Sequence, residues 1–211
     1  MRKILILGAG LSSSSLIKYL LDHSTENDWK VRVGDMSVDT AKRKVNNHKN
    51  GEAFEFDVFN ESQRIEEIKN TDVVISMLPA RFHYLVAERC VEFGKHMITA
   101  SYVSKEVKSL HQAALDKDIL LLNEIGVDPG IDHMSAMKVI DEIKARGGKM
   151  VAFKSSTGGL VAPEYDNNPW NYKFTWNPRN VVVAGQATAQ YIDHGKYKYV
   201  PYNQLFRRTE K

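Results

Sequence analysis

The chain has 211 residues, 43% of them apolar, which is enough for one full core and part of a second. Its 29 basic and 26 acidic side chains leave a formal charge of +3, and no basic run is interleaved with aromatics, which argues against a dedicated nucleic-acid binder. The single cysteine, Cys90, allows neither an intrachain disulfide nor a cysteine zinc site, and it points to a reducing, cytoplasmic setting.

Residues 4–7, Ile-Leu-Ile-Leu, read as a buried strand. The run is too short for the apolar core of a signal peptide, and no later stretch is long and apolar enough to predict a membrane span. A helix is predicted over 12–22, with Leu16, Ile17, Leu20 and Leu21 on one face. A second strand over 31–33 ends at Asp35, a polar helix follows over 38–47, and third and fourth strands cover 53–58 and 72–78. A helix over 82–93 holds Cys90 as a packing residue and leads to a fifth strand over 96–100. A helix over 105–117 leads to a sixth strand over 119–122. This alternation predicts an α/β fold, a doubly wound parallel sheet of Rossmann type followed by part of a mixed α/β domain. The strands are continuously apolar, as expected where both faces of a sheet are covered.

The pattern changes after Asn123. Val127-Asp128-Pro129-Gly130 is turn chemistry, and a helix over 132–145 ends at Gly147-Gly148. Asp132 reads as the N-cap of that helix, with Ser135 three residues on. A strand is predicted over 149–156, then a loop rich in Gly, Pro and Asn, then further strand-like segments to Tyr202. The domain boundary is placed near Ile125, giving a dinucleotide-binding domain over 1–125 and an incomplete substrate and dimerisation domain over 126–211.

Gly8-Ala9-Gly10-Leu11-Ser12-Ser13 lies between a strand and a helix. Gly8 permits a tight turn, Gly10 lets the backbone approach a pyrophosphate, and Ser13 is small enough for close helix–strand packing. The helix start supplies N–H groups for phosphate. Asp35, 22 residues after Ser13, ends the second strand, where a carboxylate takes the adenosine ribose hydroxyls and repels a 2′-phosphate. That favours NAD over NADP. Lys42 and Arg43 lie close enough in sequence to tolerate the phosphate, but they read first as a solvated helix face. Asp57-Val58 ends the third strand, where Asp57 either meets an adenine amino group or caps a turn. Ser76-Met77-Leu78-Pro79 and Ala100-Ser101-Tyr102 end the fourth and fifth strands, where ligands of open α/β sheets bind.

Four segments carry a resemblance: Ser101-Tyr102-Val103-Ser104, residues 122–134 (LNEIGVDPGIDHM), residues 158–164 (GGLVAPE) and residues 168–179 (NPWNYKFTWNPR). With the glycine turn they resemble the saccharopine dehydrogenase family, most closely its glutamate-forming branch. The resemblance implies interconversion of saccharopine and water with 2-aminoadipate 6-semialdehyde and glutamate, in lysine metabolism, by a dimer using NAD or NADP. It implies a longer chain, so this one is expected to be truncated within the substrate domain. Two departures stand out. NADP-using members usually lack an acid at the position of Asp35, and several carry Cys where this chain has Thr157.

The reaction moves a hydride to or from the carbon of a C–N bond, and proton transfers accompany it. Asp128 is the first candidate for those transfers; it alternatively steers an ammonium group or merely stabilises its turn. Tyr102 either assists proton transfer and binds substrate or packs at a strand end. Saccharopine carries three carboxylates, for which Arg179 is the first candidate partner and Lys173 the second. Ser101, Thr157 and Gly158 complete the expected substrate contacts. His133 ranks below these, and Trp170, Tyr172, Phe174 and Trp176 either wall the pocket or pack in a core or interface. The histidines, His83 among them, show no metal-ligand spacing, so no metal is expected. Two alternatives stay open: a related C–N dehydrogenase of the carboxyspermidine type, and a non-catalytic dinucleotide-binding fragment or subunit.

Overall fold

A computed structural model describes residues 1–156, 158–175, 178–184, 186 and 188–207. The described chain divides into two compact units, 1–158 and 159–211.

The first unit is built on six parallel strands: β1 Arg2–Leu7, β2 Trp29–Asp35, β3 Gly51–Glu55, β4 Val73–Ser76, β5 His96–Ile98 and β6 Leu121–Leu122. Their order is β3-β2-β1-β4-β5-β6, that of a dinucleotide-binding Rossmann sheet. The expected fold class is therefore observed. Alternate residues of β1 enter opposite layers. Ile4 and Ile6 pack with Ile17, Leu20, Leu21, Ala41 and Val45, from helices α1 Ser14–Asp22 and α2 Val38–Val45. Leu5 and Leu7 pack on the other face with Ile68 of α3 Glu61–Lys69, Val86, Ala87 and Cys90 of α4 His83–Phe93, and Val107 of α5 Lys105–Ser109. Both faces of β1 are thus closed to water, so truncating Leu5 or Ile6 to Ala costs about 2–5 kcal/mol.

Several boundaries differ from the sequence reading, each for a local reason. The helix expected over 12–22 opens with a tighter turn, Leu11–Ser13, before α1. The one expected over 105–117 breaks at Leu110 into α5 and α6 His111–Asp116. Helix α3 has only two apolar residues, Ile65 and Ile68, and so shows no stripe. Its signal is its cap, for the Asn60 side chain accepts from the Gln63 amide. Helix α7, Ile131–Ala145, begins one residue before Asp132, and its N-cap is Gly130 rather than Asp132. The strand expected over 149–156 is irregular chain: Val151 and Phe153 alternate correctly, but no described strand pairs with them and both are exposed.

The second unit holds helix α8, Pro178–Ala184, and an antiparallel hairpin of β7 Ala189–Asp193 and β8 Lys196–Val200. Of the aromatics expected to wall a pocket or to pack in a core or interface, most are exposed in the described chain, which speaks against the core reading. Trp170 is 84% exposed, and Tyr172 and Phe174 meet edge to face. Trp176 lies outside the described residues. Among the described residues no helix is long and apolar enough to cross a membrane.

Candidate active site

Strand order reverses between β1 and β4, and ligands of such sheets bind beyond the carboxyl ends of the strands flanking that point. Leu7 pairs with Ser76 across it, and the Met77 amide donates to the Leu7 carbonyl at 2.8 Å. Gly8–Gly10 and Ser76–Pro79 therefore leave the sheet side by side. Gly8 has φ +103°, and a Cβ there would stand 2.8 Å from the Met77 carbonyl oxygen, so both conformation and packing demand glycine. Gly10 differs. Its φ is −67°, and an added Cβ would meet no protein atom within 4 Å. Nothing in the protein requires glycine there, whereas close approach of a ligand would.

Beyond Gly10, Leu11 and Ser12 are exposed and Ser13 is buried, its hydroxyl donating to the Gly10 carbonyl at 2.9 Å. The amides that open this turn lie where a helix offers no internal acceptor. Asp35 is tied directly to the turn. Its Oδ2 accepts from the Ala9 amide at 2.6 Å and its Oδ1 from the Ser37 amide at 2.8 Å. Lys44 was not picked out by sequence, where Lys42 and Arg43 drew attention. From α2 its ammonium donates to the Gly10 carbonyl and, at 3.0 Å, to the Ser13 hydroxyl. Burial lowers the Lys44 pKa, against the pull of the Asp35 carboxylate. A carboxylate and an ammonium thus brace the glycine turn from two sides. β3 stops at Glu55, so Asp57-Val58 lies beyond the strand rather than ending it: Asp57 is exposed, with Oδ1 accepting from the Phe59 amide at 2.9 Å as a turn cap, and the Val58 side chain is in the core.

The ends of β4 and β5 are joined by a residue that sequence gave no reason to choose. His83, 3% exposed at the start of α4, places Nδ1 2.8 Å from the Ser76 hydroxyl and Nε2 2.8 Å from the Ser101 hydroxyl. The Thr99 hydroxyl is 3.3 Å from the same Nε2. Burial pushes the His83 pKa down to about 4, so the ring is neutral near pH 7. Ala100 and Ser101 are half-buried beside it.

Tyr102 and Asp128 were singled out separately, and the fold brings them together. The Tyr102 hydroxyl donates to Asp128 Oδ1 at 3.2 Å. Partial burial and then the Asp128 carboxylate raise the phenol's pKa, so it stays protonated and donates. Asp128 reaches this position on a tight turn. The Gly126 amide donates to the Pro129 carbonyl at 2.8 Å, and Gly130 has φ +149° with space for no Cβ against the Gly126 carbonyl. Glu124 adds a brace, its carboxylate accepting from the Val103 amide at 3.1 Å. His133 lies on exposed surface with its pKa raised by Asp132.

Gly158 is exposed at the end of the first unit; Lys173 and Arg179 are exposed in the second, and Thr157 lies outside the described residues. Among the described residues no three His, Cys, Asp or Glu side chains cluster as a metal site would need.

Residues 4–122 match the family profile described as the saccharopine dehydrogenase NADP binding domain, and residues 126–211 match the saccharopine dehydrogenase C-terminal domain. The chain belongs to the saccharopine dehydrogenase family. Within the family it is 37% identical over 196 residues to the Schizosaccharomyces pombe saccharopine dehydrogenase (NADP(+), L-glutamate-forming), covering 93% of this chain and 43% of that protein. It is 38% identical over 220 residues to the Arabidopsis thaliana alpha-aminoadipic semialdehyde synthase, covering 96% of this chain and 21% of that one. The solved apo structure of the L-Glu-forming saccharopine dehydrogenase from Saccharomyces cerevisiae superposes with a TM-score of 0.85 at 34% identity, covering 98% of this chain and 46% of that one. The chain thus spans less than half the length of these relatives. The NADP-binding match runs from within β1 through β6 and includes the glycine turn.

Proposed function

We propose that this chain carries the dinucleotide site and part of the substrate site of an oxidoreductase acting on C–N bonds. The reaction is saccharopine + NAD(P)+ + water → 2-aminoadipate 6-semialdehyde + glutamate + NAD(P)H + H+, or its reverse, in lysine metabolism. The observation that carries this reading is the Tyr102–Asp128 hydrogen bond, on the same carboxyl edge of the sheet as the glycine turn. The relatives named for this activity support it.

Gly8, Gly10, Leu11, Ser12 and Ser13 receive the pyrophosphate, and Asp35 faces the adenosine ribose. Asp57-Val58 borders the adenine, and Ser76–Pro79 with Ala100 borders the nicotinamide end. The dinucleotide, when bound, supplies hydride transfer. Asp128 takes and returns protons as water adds to the C–N carbon and glutamate leaves, and Tyr102 holds that carboxylate in place. Arg179 and Lys173 take substrate carboxylates, with Ser101, Thr157 and Gly158 as further contacts. Residues 126–211 belong to the substrate and dimerisation domain, and the working protein is a cytoplasmic homodimer. The cofactor is NAD or NADP: the charge of Asp35 opposes a 2′-phosphate and favours NAD, whereas the match to an NADP binding domain and the relatives named for NADP(+) favour NADP.

Two measurements test this reading. Reduced-cofactor absorbance is followed with saccharopine and, separately, carboxyspermidine-type substrates, under NAD+ and NADP+. Saccharopine is expected to be oxidised, and the faster cofactor decides between the preference Asp35 sets and that of the NADP(+)-named relatives; turnover of the polyamine substrate alone would transfer the assignment to that class. In Asp35→Ala the ratio of NADP to NAD dissociation constants is expected to fall about tenfold, roughly 1.4 kcal/mol, even as both affinities weaken. An unchanged ratio removes Asp35 from cofactor choice.

A further inference from the structure

Within the sheet unit, a buried histidine beside the proposed site has no part in the proposed chemistry. His83 lies under the carboxyl edge with hydroxyls at both ring nitrogens, Ser76 at Nδ1 and Ser101 at Nε2. Ser76 ends β4, which pairs with the strand leading into the glycine turn. Ser101 follows β5 and immediately precedes Tyr102. A neutral imidazole donates from one nitrogen and accepts at the other, so the bridge constrains both hydroxyls. Ser101 is held at two further points. Its amide donates to the Thr99 hydroxyl at 3.3 Å, and its carbonyl accepts from the Glu124 amide at 3.0 Å. Side chain, N–H and C=O of one residue are all engaged, and the next residue presents the phenol that donates to Asp128.

We propose that His83 is a positioning residue for the reaction: by holding the Ser101 hydroxyl at Nε2, from a ring that Ser76 meets at Nδ1, it fixes the segment that sets Tyr102 against Asp128. This rests on the proposed C–N oxidoreductase activity for its kinetic consequence, but its structural consequence stands apart from turnover. A neutral ring suits such a role. It presents a fixed donor and a fixed acceptor, and it brings no charge to an edge where a positively charged nicotinamide binds.

The test uses two substitutions that each keep one half of the bridge. An asparagine amide reaches the place of Nδ1 and a glutamine amide that of Nε2. H83N therefore keeps the Ser76 bond, and H83Q keeps the Ser101 bond. We expect H83N to lower kcat about tenfold with the dinucleotide KM unchanged, and H83Q to recover most of that loss. Equal kcat in the two variants, or a loss carried by the dinucleotide KM, overturns the proposal. A second readout needs no turnover. In protein labelled with carbon-13 tyrosine, the Tyr102 resonance is assigned with Tyr102→Phe. It should stay at its wild-type position in H83Q. In H83N it should move toward its position in Asp128→Ala, where the hydrogen bond is gone. Ser101→Ala cuts the same bond from its other end and must move Tyr102 in the same direction, which covers the case in which H83N does not fold. A Tyr102 resonance unmoved by these cuts overturns the role of His83. If Tyr102 moves as expected while wild-type chain fails to oxidise saccharopine, His83 is upheld and the proposed activity alone falls.

Discussion

A histidine held neutral by burial has a thermodynamic signature. The His83 pKa falls from an ordinary 6.5 to about 4 in the folded chain, and burial is its cause. Its neighbours at both nitrogens are uncharged hydroxyls, from Ser76, Thr99 and Ser101. The unfolded chain therefore binds a proton between about pH 6.5 and pH 4 that the folded chain refuses, and acid favours unfolding there. The contribution of His83 is fully present above pH 6.5 and is lost as pH falls to about 4, a change on the order of 3 kcal/mol. Urea unfolding of wild type and H83Q across this window checks it, with the slope of stability against pH expected to flatten in the variant. Parallel slopes would show that His83 is not the group responsible. Sequence hid this residue because positions 76, 83 and 101 share no period; only the parallel pairing of β1, β4 and β5 makes them neighbours. Lys44 was hidden similarly, since which of three consecutive basic residues turns toward Gly10 depends on how α2 packs. Tyr102 and Asp128 could be named as a strand-end and a turn residue, with the family resemblance favouring a role for Asp128, but their hydrogen bond was not legible, because 26 residues separate them.

At the scale of elements, the glycine turn separates two demands that one motif conceals. Gly8 is required by the fold: its φ is positive and the Met77 carbonyl leaves no room for a Cβ. Gly8→Ala should cost on the order of 2–3 kcal/mol of stability. Gly10 has helix-compatible φ and open space around it, so Gly10→Ala should leave the melting temperature within a degree or two. The same change should weaken dinucleotide binding at least about tenfold, on the order of 1.4 kcal/mol, by crowding the phosphates. Thermal melts paired with titration calorimetry separate the two; a Gly10→Ala protein that binds normally would remove the phosphates from that position. The strands themselves were legible as short apolar runs, for a doubly covered sheet needs them. Helix α3 was not, because polar residues fill it and only its Asn60 cap betrays it. The false strand over 149–156 shows the converse: alternation marks a strand only when a neighbour is there to pair with it.

At the scale of the whole chain, every proposed dinucleotide contact falls within the first compact unit, so the two units are expected to respond differently to that ligand. Dinucleotide held at a hundredfold excess over its dissociation constant should stabilise the sheet unit by about 2.7 kcal/mol. Hydrogen exchange is the measurement: amides of β1, β2 and β4 should slow, while those of the β7–β8 hairpin keep their rates. Equal slowing in both units would mean that they unfold as one. The second unit is where sequence was least informative. Its aromatics read as pocket, core or interface, and most are exposed in the described chain, which disfavours core alone, since a residue's type does not say what will cover it.

The two bonds made by Asp35 constrain anyone who would re-engineer this chain. Its carboxylate, proposed to face a ribose, already holds the amides of Ala9 and Ser37. Exchanging it for a neutral or basic side chain to admit a phosphorylated cofactor also removes the acceptor that anchors the glycine turn. Asparagine returns one oxygen but turns an amino group toward an N–H. A successful conversion therefore needs a second change that restores an acceptor for Ala9, and a library varied at Asp35 alone will trade selectivity for affinity at every step.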